Sequence, residues 1–340
     1  MIKVTKDMPL ATTITGSLPR PSWFTAPLGD KPFRLAMAES VFREQYNDAV
    51  SCFLRDQERA GLDILTDGDC RFDTDVGGGG WVLYPARRIN GMTGYVHESG
   101  QTNPGGSRPG DLVYEVLEAR MSPIATEKVS RGPLEYSSLW KTAQKMTRRP
   151  VKFGTITAEC LASHTGNEYY PSYEAYVSDL AEVLNQELLD LAKAGCPIIQ
   201  MEEPVVHRIL PGGDYRGVDV EAFLEAFNRT VWELEGLAEV WCHTCWGSPA
   251  SQRFYGQGEQ DYTGSLENLN RLDADVITFE CAGSPEWEFE VIGKVIAEKK
   301  IAIGVVSHRT LQIETPEKVA RMVRAALKYI PPERLILSSD

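Results

Sequence analysis

The chain has 340 residues, 42% of them hydrophobic and 24% charged, and its net charge is -13 at pH 7. This composition supports a large buried core, whereas the acidic charge opposes sustained binding to nucleic-acid phosphates. No stretch reaches the roughly 20 apolar residues of a membrane span, the N-terminus lacks a signal-peptide core, and the seven cysteines lack the dense spacing of a disulfide scaffold. We therefore expect a cytoplasmic protein that acts on small molecules or binds other proteins.

Short apolar runs alternate with helical patterns along the chain. We predict β-strands at 11–15, 62–66, 151–156, 197–201, 238–242, 275–279, 301–306 and 334–337. One long helix is predicted between a capping Ser172 and Gly195, and another is predicted to begin at Thr315-Pro316. Alternation of this kind builds a parallel sheet with helices outside, and eight strands predict closure into an α/β fold of the (β/α)₈ TIM barrel type. The alternative is an open doubly wound sheet, but the first strand-to-helix turn has no G-x-G-x-x-G fingerprint.

We expect one domain, residues 1–340, with two irregularities. Residues 73–150 form too long a connection between strands two and three, so they are predicted to be an insertion over the mouth of the barrel. The chain also ends with the eighth strand, and an uncovered parallel strand would expose apolar surface. The eighth helix is therefore expected beyond Asp340, outside this sequence.

Polar side chains follow nearly every predicted strand, which is where the active sites of such barrels lie. In chain order they are Ser17, Asp67, Asp69, Glu202, Glu203, His243, Cys245, Glu280, Ser307 and His308. The ordinary alternative is that the transition from strand to loop is polar in any protein. For Ser17 in particular, a turn hydroxyl bonded to its own backbone is an equally good interpretation.

The segment VWCHTCWGS combines an imidazole and a thiol two residues apart. His243 and Cys245 share one face of an extended chain, and Glu280 follows the next predicted strand. Zinc accepts imidazole, thiolate and carboxylate ligands, so the three side chains are candidate zinc ligands. Read without further context, the same residues also fit a strand end with incidental polar groups.

Taken together, the segments TTITGSLPR, GLDILTDGD, AGCPIIQMEEP, HTC, LDADVITFE and GVVSHRTLQIETPEKVARMVRAALKYIPPERLILSSD resemble the catalytic barrel of cobalamin-independent methionine synthase. The resemblance covers most of the chain and weakens between about 73 and 150. It implies a zinc ion bound by His243, Cys245 and Glu280. It also implies a fourth ligand, a cysteine, immediately after Asp340.

The resemblance further implies a transferase that moves a methyl or alkyl group to a zinc-activated thiol, giving methionine when the thiol is homocysteine. Ser17, Asp69 and Glu202 match positions that bind the amino-acid part of homocysteine, with Asp69 in place of a glutamate and Glu202 in place of an aspartate. His308 lies near the proton-donating histidine of the family, although the match is displaced by one residue. We carry this catalytic role over as an expectation.

The chain departs from the family in ways that concern the methyl donor. It has one barrel, and the tryptophan that stacks on folate is not evident in GTITAECLASH, where Cys160 and Leu161 lie. We therefore expect poor use of methyltetrahydrofolate. A corrinoid protein is one candidate donor, and a related branch of the family joins thiols to epoxides. A zinc hydrolase and a metal-free relative resembling uroporphyrinogen decarboxylase are the other hypotheses, and a homo-oligomer is left open.

Overall fold

The computed structural model of the chain describes residues 4–72, 80–97, 121–202, 205–215, 217–246, 261–284 and 287–340. The α-helices in these ranges, labelled α1 to α10 in chain order, are Phe33–Ala36, Ser40–Ala60, Gly80–Ala86, Tyr136–Gln144, Ala158–Ser163, Tyr173–Lys193, Val220–Thr230, Leu266–Asn270, Phe289–Val295 and Pro316–Ala326. The strands, labelled β1 to β12, are Leu65–Thr66, Asn90–His97, Met121–Ser130, Val151–Ile156, Gly166–Asn167, Ile198–Glu202, Asp214–Tyr215, Val218–Asp219, Glu239–His243, Val276–Phe279, Lys300–Val306 and Leu335–Ser339.

The main sheet has seven strands, ordered β1-β4-β6-β9-β10-β11-β12, and every pair in it is parallel. The extended segment at the N-terminus joins its two edges. On one side, the N–H of Thr13 donates to the carbonyl of Leu337, and the N–H of Leu337 donates to the carbonyl of Ala11. On the other side, the carbonyl of Thr12 accepts from the N–H of Ile64. The segment takes the place of the first predicted strand, and the predicted α/β barrel is confirmed.

The helix signals read from the sequence act as expected. The Ser172 side chain accepts from the N–H of Ala175 at the start of α6, and that of Thr315 accepts from the N–H of Lys318 at the start of α10. Each cap satisfies a donor that the first helical turn leaves unpaired. Among the described residues, none of the helices has both the length and the apolar character that crossing a bilayer requires.

The described part of the segment 73–150 is an ordered structure rather than a plain loop. Strands β2 and β3 pair antiparallel, and β3 also pairs in parallel with β5. Helix α3 packs close to the barrel, because a Cβ atom on Gly154 would lie 2.9 Å from the Trp81 ring. Its placement over the mouth of the barrel stays a prediction.

Alternation along the strands divides the barrel interior into an apolar end and a polar end. A separate apolar cluster contains one side chain each from β6, β9, β10, β11 and β12, one from the N-terminal segment and one from just before β1: Ala11, Ile64, Ile198, Trp241, Val276, Ala302 and Ile336. Residues two and four positions further along these strands share the same face. This periodicity brings Glu202, His243 and Glu280 to the opposite, carboxyl end of the barrel interior.

Candidate active site

Two predicted site residues from neighbouring strands lie in direct contact. Glu202 ends β6 and is paired in register with His243, which ends β9. The Oε2 atom of Glu202 lies 3.5 Å from Nε2 of His243, while Nδ1 of His243 lies 2.7 Å from the Thr278 hydroxyl on β10. Burial lowers the pKa of His243 to about 3, with the positive charge of Lys152 as a second cause. The imidazole is therefore neutral, and Thr278 fixes the orientation of its ring.

Glu202 is partly buried and has a second partner on its own strand. Its Oε1 atom accepts a hydrogen bond of 2.9 Å from the side-chain amide of Gln200. Burial raises the pKa of Glu202 to about 7, and the negative charge of Asp69 acts in the same direction. A cationic group of a ligand placed here would stabilise the ionised carboxylate.

The predicted substrate residues Ser17 and Asp69 also meet. The Ser17 hydroxyl donates to Oδ2 of Asp69 over 2.9 Å, and the buried guanidinium of Arg71 donates to Oδ1 over 2.8 Å. Asp69 has a φ of 55°, a left-handed conformation that aspartate tolerates better than most residues and that is common at functional sites. Both carboxylate oxygens are held, and each keeps further capacity to accept a ligand donor.

Glu280, which follows β10, is buried and bound on several sides. Its carboxylate forms an ion pair with Arg309 through both oxygens, one contact being Arg309 Nη2 to Oε2 at 2.9 Å. The same Oε2 accepts from the backbone N–H of Trp246 at 2.7 Å, so Glu280 lies beside the segment that carries Cys245. The hydroxyl of Tyr262 accepts from the N–H of Glu280 and donates to the carbonyl of Thr244. These bonds join the ends of β9 and β10.

A third group at this end of the barrel consists of Glu280, His308 and Asp340. Each offers one ligand atom, and these atoms lie within 4.8 Å of one another. Asp340 Oδ1 accepts from the backbone N–H groups of Cys281 and Ala282, whereas its Oδ2 is buried without a hydrogen-bond partner among the residues that the structure describes. Burial raises the pKa of Asp340 to about 6. An unpartnered carboxylate oxygen beside an imidazole and a second carboxylate suits a cation.

The side chains at this end of the barrel fit a zinc ion in their chemistry, since imidazole, thiol and carboxylate are its usual ligands. With Nδ1–H of His243 as the donor, its hydrogen bond to the Thr278 hydroxyl also matches the contact that the second ring nitrogen of a ligating histidine normally makes. In the described part of the chain, however, the group with ligand atoms within 4.8 Å shares only Glu280 with the predicted set of His243, Cys245 and Glu280. That set therefore stays a prediction, as does a ligand beyond Asp340.

The sequence interpretation missed several residues that shape the site. Arg71 contacts Asp69, Lys152 contacts Gln200, and Gln200 in turn contacts Glu202. Thr278 contacts His243, Arg309 contacts Glu280, and Asp340 contacts the backbone after Glu280. A period of two along each strand would have found some of them, because Gln200 and Thr278 each precede a predicted site residue by two positions. Arg309, the ion-pair partner of Glu280, lies in a loop, where no strand periodicity could have predicted it.

Comparison with known proteins gives one family and a set of related structures. Residues 10–340 match the family model described as the catalytic domain of cobalamin-independent synthase. The methionine synthase of Saccharolobus solfataricus is 29% identical over 97% of this chain and 87% of its own length, and that of Sulfolobus acidocaldarius is 26% identical over 97% and 85%. A B12-independent methionine synthase structure from Shewanella sp. W3-18-1, in complex with selenomethionine, has a TM-score of 0.77 at 24% identity, covering 97% of this chain and 90% of that one.

Proposed function

Because the chain belongs to the family of cobalamin-independent synthase catalytic domains, we propose that it transfers a methyl group to the thiol of homocysteine and so forms methionine. The names of the curated relatives, which are methionine synthases, support this activity. The contact between Glu202 and His243 carries the proposal. It brings a carboxylate suited to the ammonium of an amino acid next to an imidazole suited to a metal that binds the thiol.

The proposed ligands of zinc are His243, Cys245 and Glu280, with Asp340 and His308 close to Glu280. When bound, zinc would lower the pKa of a coordinated thiol and keep it nucleophilic at neutral pH, where few free thiols are ionised. Thr278 orients the imidazole so that Nε2 faces the site.

The amino-acid part of the substrate is proposed to lie between two carboxylates. Glu202 and Asp69 would pair with its ammonium, and the Ser17 hydroxyl, which donates to Asp69, fixes one of them. Burial and the negative charge of Asp69 raise the pKa of Glu202, and a bound cation would offset both effects by stabilising the ionised carboxylate. The site therefore favours a zwitterionic thiol over a simple alkyl thiol. His308 stays a proposed proton donor, on the basis of its position near Glu280.

The test is a transfer assay with purified protein, zinc and homocysteine, using methyltetrahydrofolate, a methylated corrinoid and an activated alkyl compound as separate donors. We expect methionine formation, with little turnover from methyltetrahydrofolate. Cys245→Ala should lose both zinc and activity, whereas the matched control Cys196→Ala should keep both, because the Cys196 thiol is buried and bonds to the carbonyl of Ile198. Hydrolysis of an ester or amide with no product alkylated at sulfur would refute the transferase, and full zinc content in Cys245→Ala would refute the ligand set.

A further inference from the structure

A lysine lies inside the barrel where neither the fold nor the proposed chemistry requires one. Lys152 is on the inward face of β4 and is only 2% exposed. Its Nζ atom donates to the carbonyl of Ile14 over 3.0 Å and to Oε1 of Gln200 over 2.6 Å, and it lies 4.7 Å from the centre of the Trp241 ring. Burying an amine costs free energy unless its donors are satisfied, and these contacts offset that cost.

The contacts of Lys152 continue to the candidate active site. The Gln200 side chain accepts from Lys152 with its oxygen and donates to Oε1 of Glu202 with its nitrogen over 2.9 Å. The other oxygen of Glu202 faces Nε2 of His243 at 3.5 Å. A single line of polar contacts therefore runs from Lys152 in the middle of the barrel to Glu202, the carboxylate proposed to bind the substrate.

The chemistry of the lysine determines the direction of the hydrogen bonds that join Lys152, Gln200 and Glu202. An ammonium has only donors, so Lys152 in its charged form must meet an oxygen atom at each of its two hydrogen bonds. Gln200 must therefore present its amide oxygen to Lys152, which leaves its NH₂ group for Glu202. Without Lys152, the amide could rotate by a half turn and present oxygen to oxygen at Glu202.

We propose that Lys152 is a positioning residue for substrate recognition, which orients the Gln200 amide and thereby the Glu202 carboxylate that pairs with the ammonium of the amino-acid thiol. The inference rests on the proposed function, because it takes the ammonium of homocysteine as the partner of Glu202. Lys152 itself does not touch the substrate. Its hydrogen bonds lead through Gln200 and Glu202 to the amino-acid end of the ligand.

A second buried lysine provides a matched control. Lys300 is on the inward face of β11, 5% exposed, and it donates to the carbonyl of Thr5 at the opposite end of the barrel. Glu239, close to it, also bonds to Thr5. Replacing Lys300 removes a buried cation of the same kind without changing the line of contacts to Glu202.

The experiment measures KM and calorimetric Kd for homocysteine and for its deamino analogue, which has the thiol and the carboxylate but no ammonium. In Lys152→Met, both constants for homocysteine should rise about tenfold or more, because a hydrogen bond to a charged group loses its geometry. The constants for the deamino analogue should change by less than about twofold, and kcat should stay near the wild-type value. Lys152→Gln, which keeps a donor, should recover part of the homocysteine affinity, and Lys300→Met should affect neither ligand.

Gln200→Glu keeps the proposal testable if Lys152→Met does not fold. This variant gives Lys152 a carboxylate partner but removes the donor to Glu202, so it should show the same selective loss of homocysteine affinity. Equal losses for both thiols, or none, in a folded Lys152→Met or Gln200→Glu protein would overturn the positioning role while leaving the proposed function intact. A wild-type protein that binds both thiols equally would overturn the role of Glu202 and this inference with it. A wild-type protein that transfers no methyl group to any thiol would refute the proposed function itself.

Discussion

The ion pair between Arg309 and Glu280 leads to a prediction about metal affinity. The Glu280 side chain is 2% exposed and that of Arg309 is 14% exposed, and both carboxylate oxygens contact the guanidinium. A metal ion that uses Glu280 as a ligand would compete with this guanidinium for the carboxylate. Arg309→Met should therefore lower the free energy of unfolding of the metal-free protein and, at the same time, increase its affinity for zinc.

The expected size follows from the contacts that remain. Removing one partner of a buried pair costs roughly 3–5 kcal/mol. The N–H of Trp246 still donates to Glu280 over 2.7 Å, so we expect the lower end, about 3 kcal/mol, in the free energy of unfolding without metal. Zinc at about a hundred times its Kd should restore roughly 2.7 kcal/mol by binding the folded state. Since 1.4 kcal/mol corresponds to tenfold in affinity, loss of the competing guanidinium should tighten zinc binding about tenfold or more.

The assay is urea unfolding in chelator and in zinc, together with zinc competition against a chromophoric chelator. Arg271→Met is the matched control, because Arg271 also binds both oxygens of a glutamate, Glu221, but the two side chains are 52% and 57% exposed. Exposed pairs contribute little, so this variant should change neither quantity appreciably. If the Arg309→Met variant bound zinc no more tightly than the wild type, Arg309 would not compete with the metal for Glu280, and the reasoning would be wrong.

Three further substitutions test the ends and the interior of the barrel. Gly304→Ala would place a Cβ atom 1.8 Å from Oδ1 of Asp340, so we expect the free energy of unfolding to fall by about 1–3 kcal/mol and zinc binding to weaken. Denaturation and zinc competition measure the two effects. An unchanged zinc affinity would show that Asp340 does not affect the metal. Thr5→Val removes a buried hydroxyl that donates to Glu239 over 3.1 Å, at the end of the barrel opposite the candidate site. The free energy of unfolding should fall by about 1–2 kcal/mol while KM stays unchanged. A raised KM would show that this end of the barrel affects the site. Burial raises the pKa of Asp67 to about 6, so the folded protein binds a proton more tightly than the unfolded chain, and this group lowers stability as the pH rises from about 4 to 6. Asp67→Asn should flatten that part of the urea stability profile, and an unchanged slope would assign it to other groups.

The strands were predictable because their patterns are local. The predicted strand 151–156 coincides with β4, and those predicted at 197–201 and 238–242 differ from β6 and β9 by one residue at each end. The segment 11–15 forms an isolated bridge from Thr12 to Leu337 and a hydrogen bond from Ile64 to Thr12 rather than a regular strand, so the extent of its pairing was overestimated. Short apolar runs mark burial reliably, whereas the extent of pairing depends on neighbours that are distant in sequence.

Within the candidate site, local sequence determined which side chains reach the carboxyl end of the barrel, because alternation along a strand and the parallel strand direction are properties of short segments. Glu202, His243 and Glu280 were identified in this way. The tertiary structure alone decided which of them touch and what else binds them. Lys152 reaches Gln200 from a strand 48 residues away in sequence, and Arg309 meets Glu280 across 29 residues. Such contacts depend on the register between neighbouring strands and on the inward reach of long side chains, and neither quantity is encoded in a local pattern.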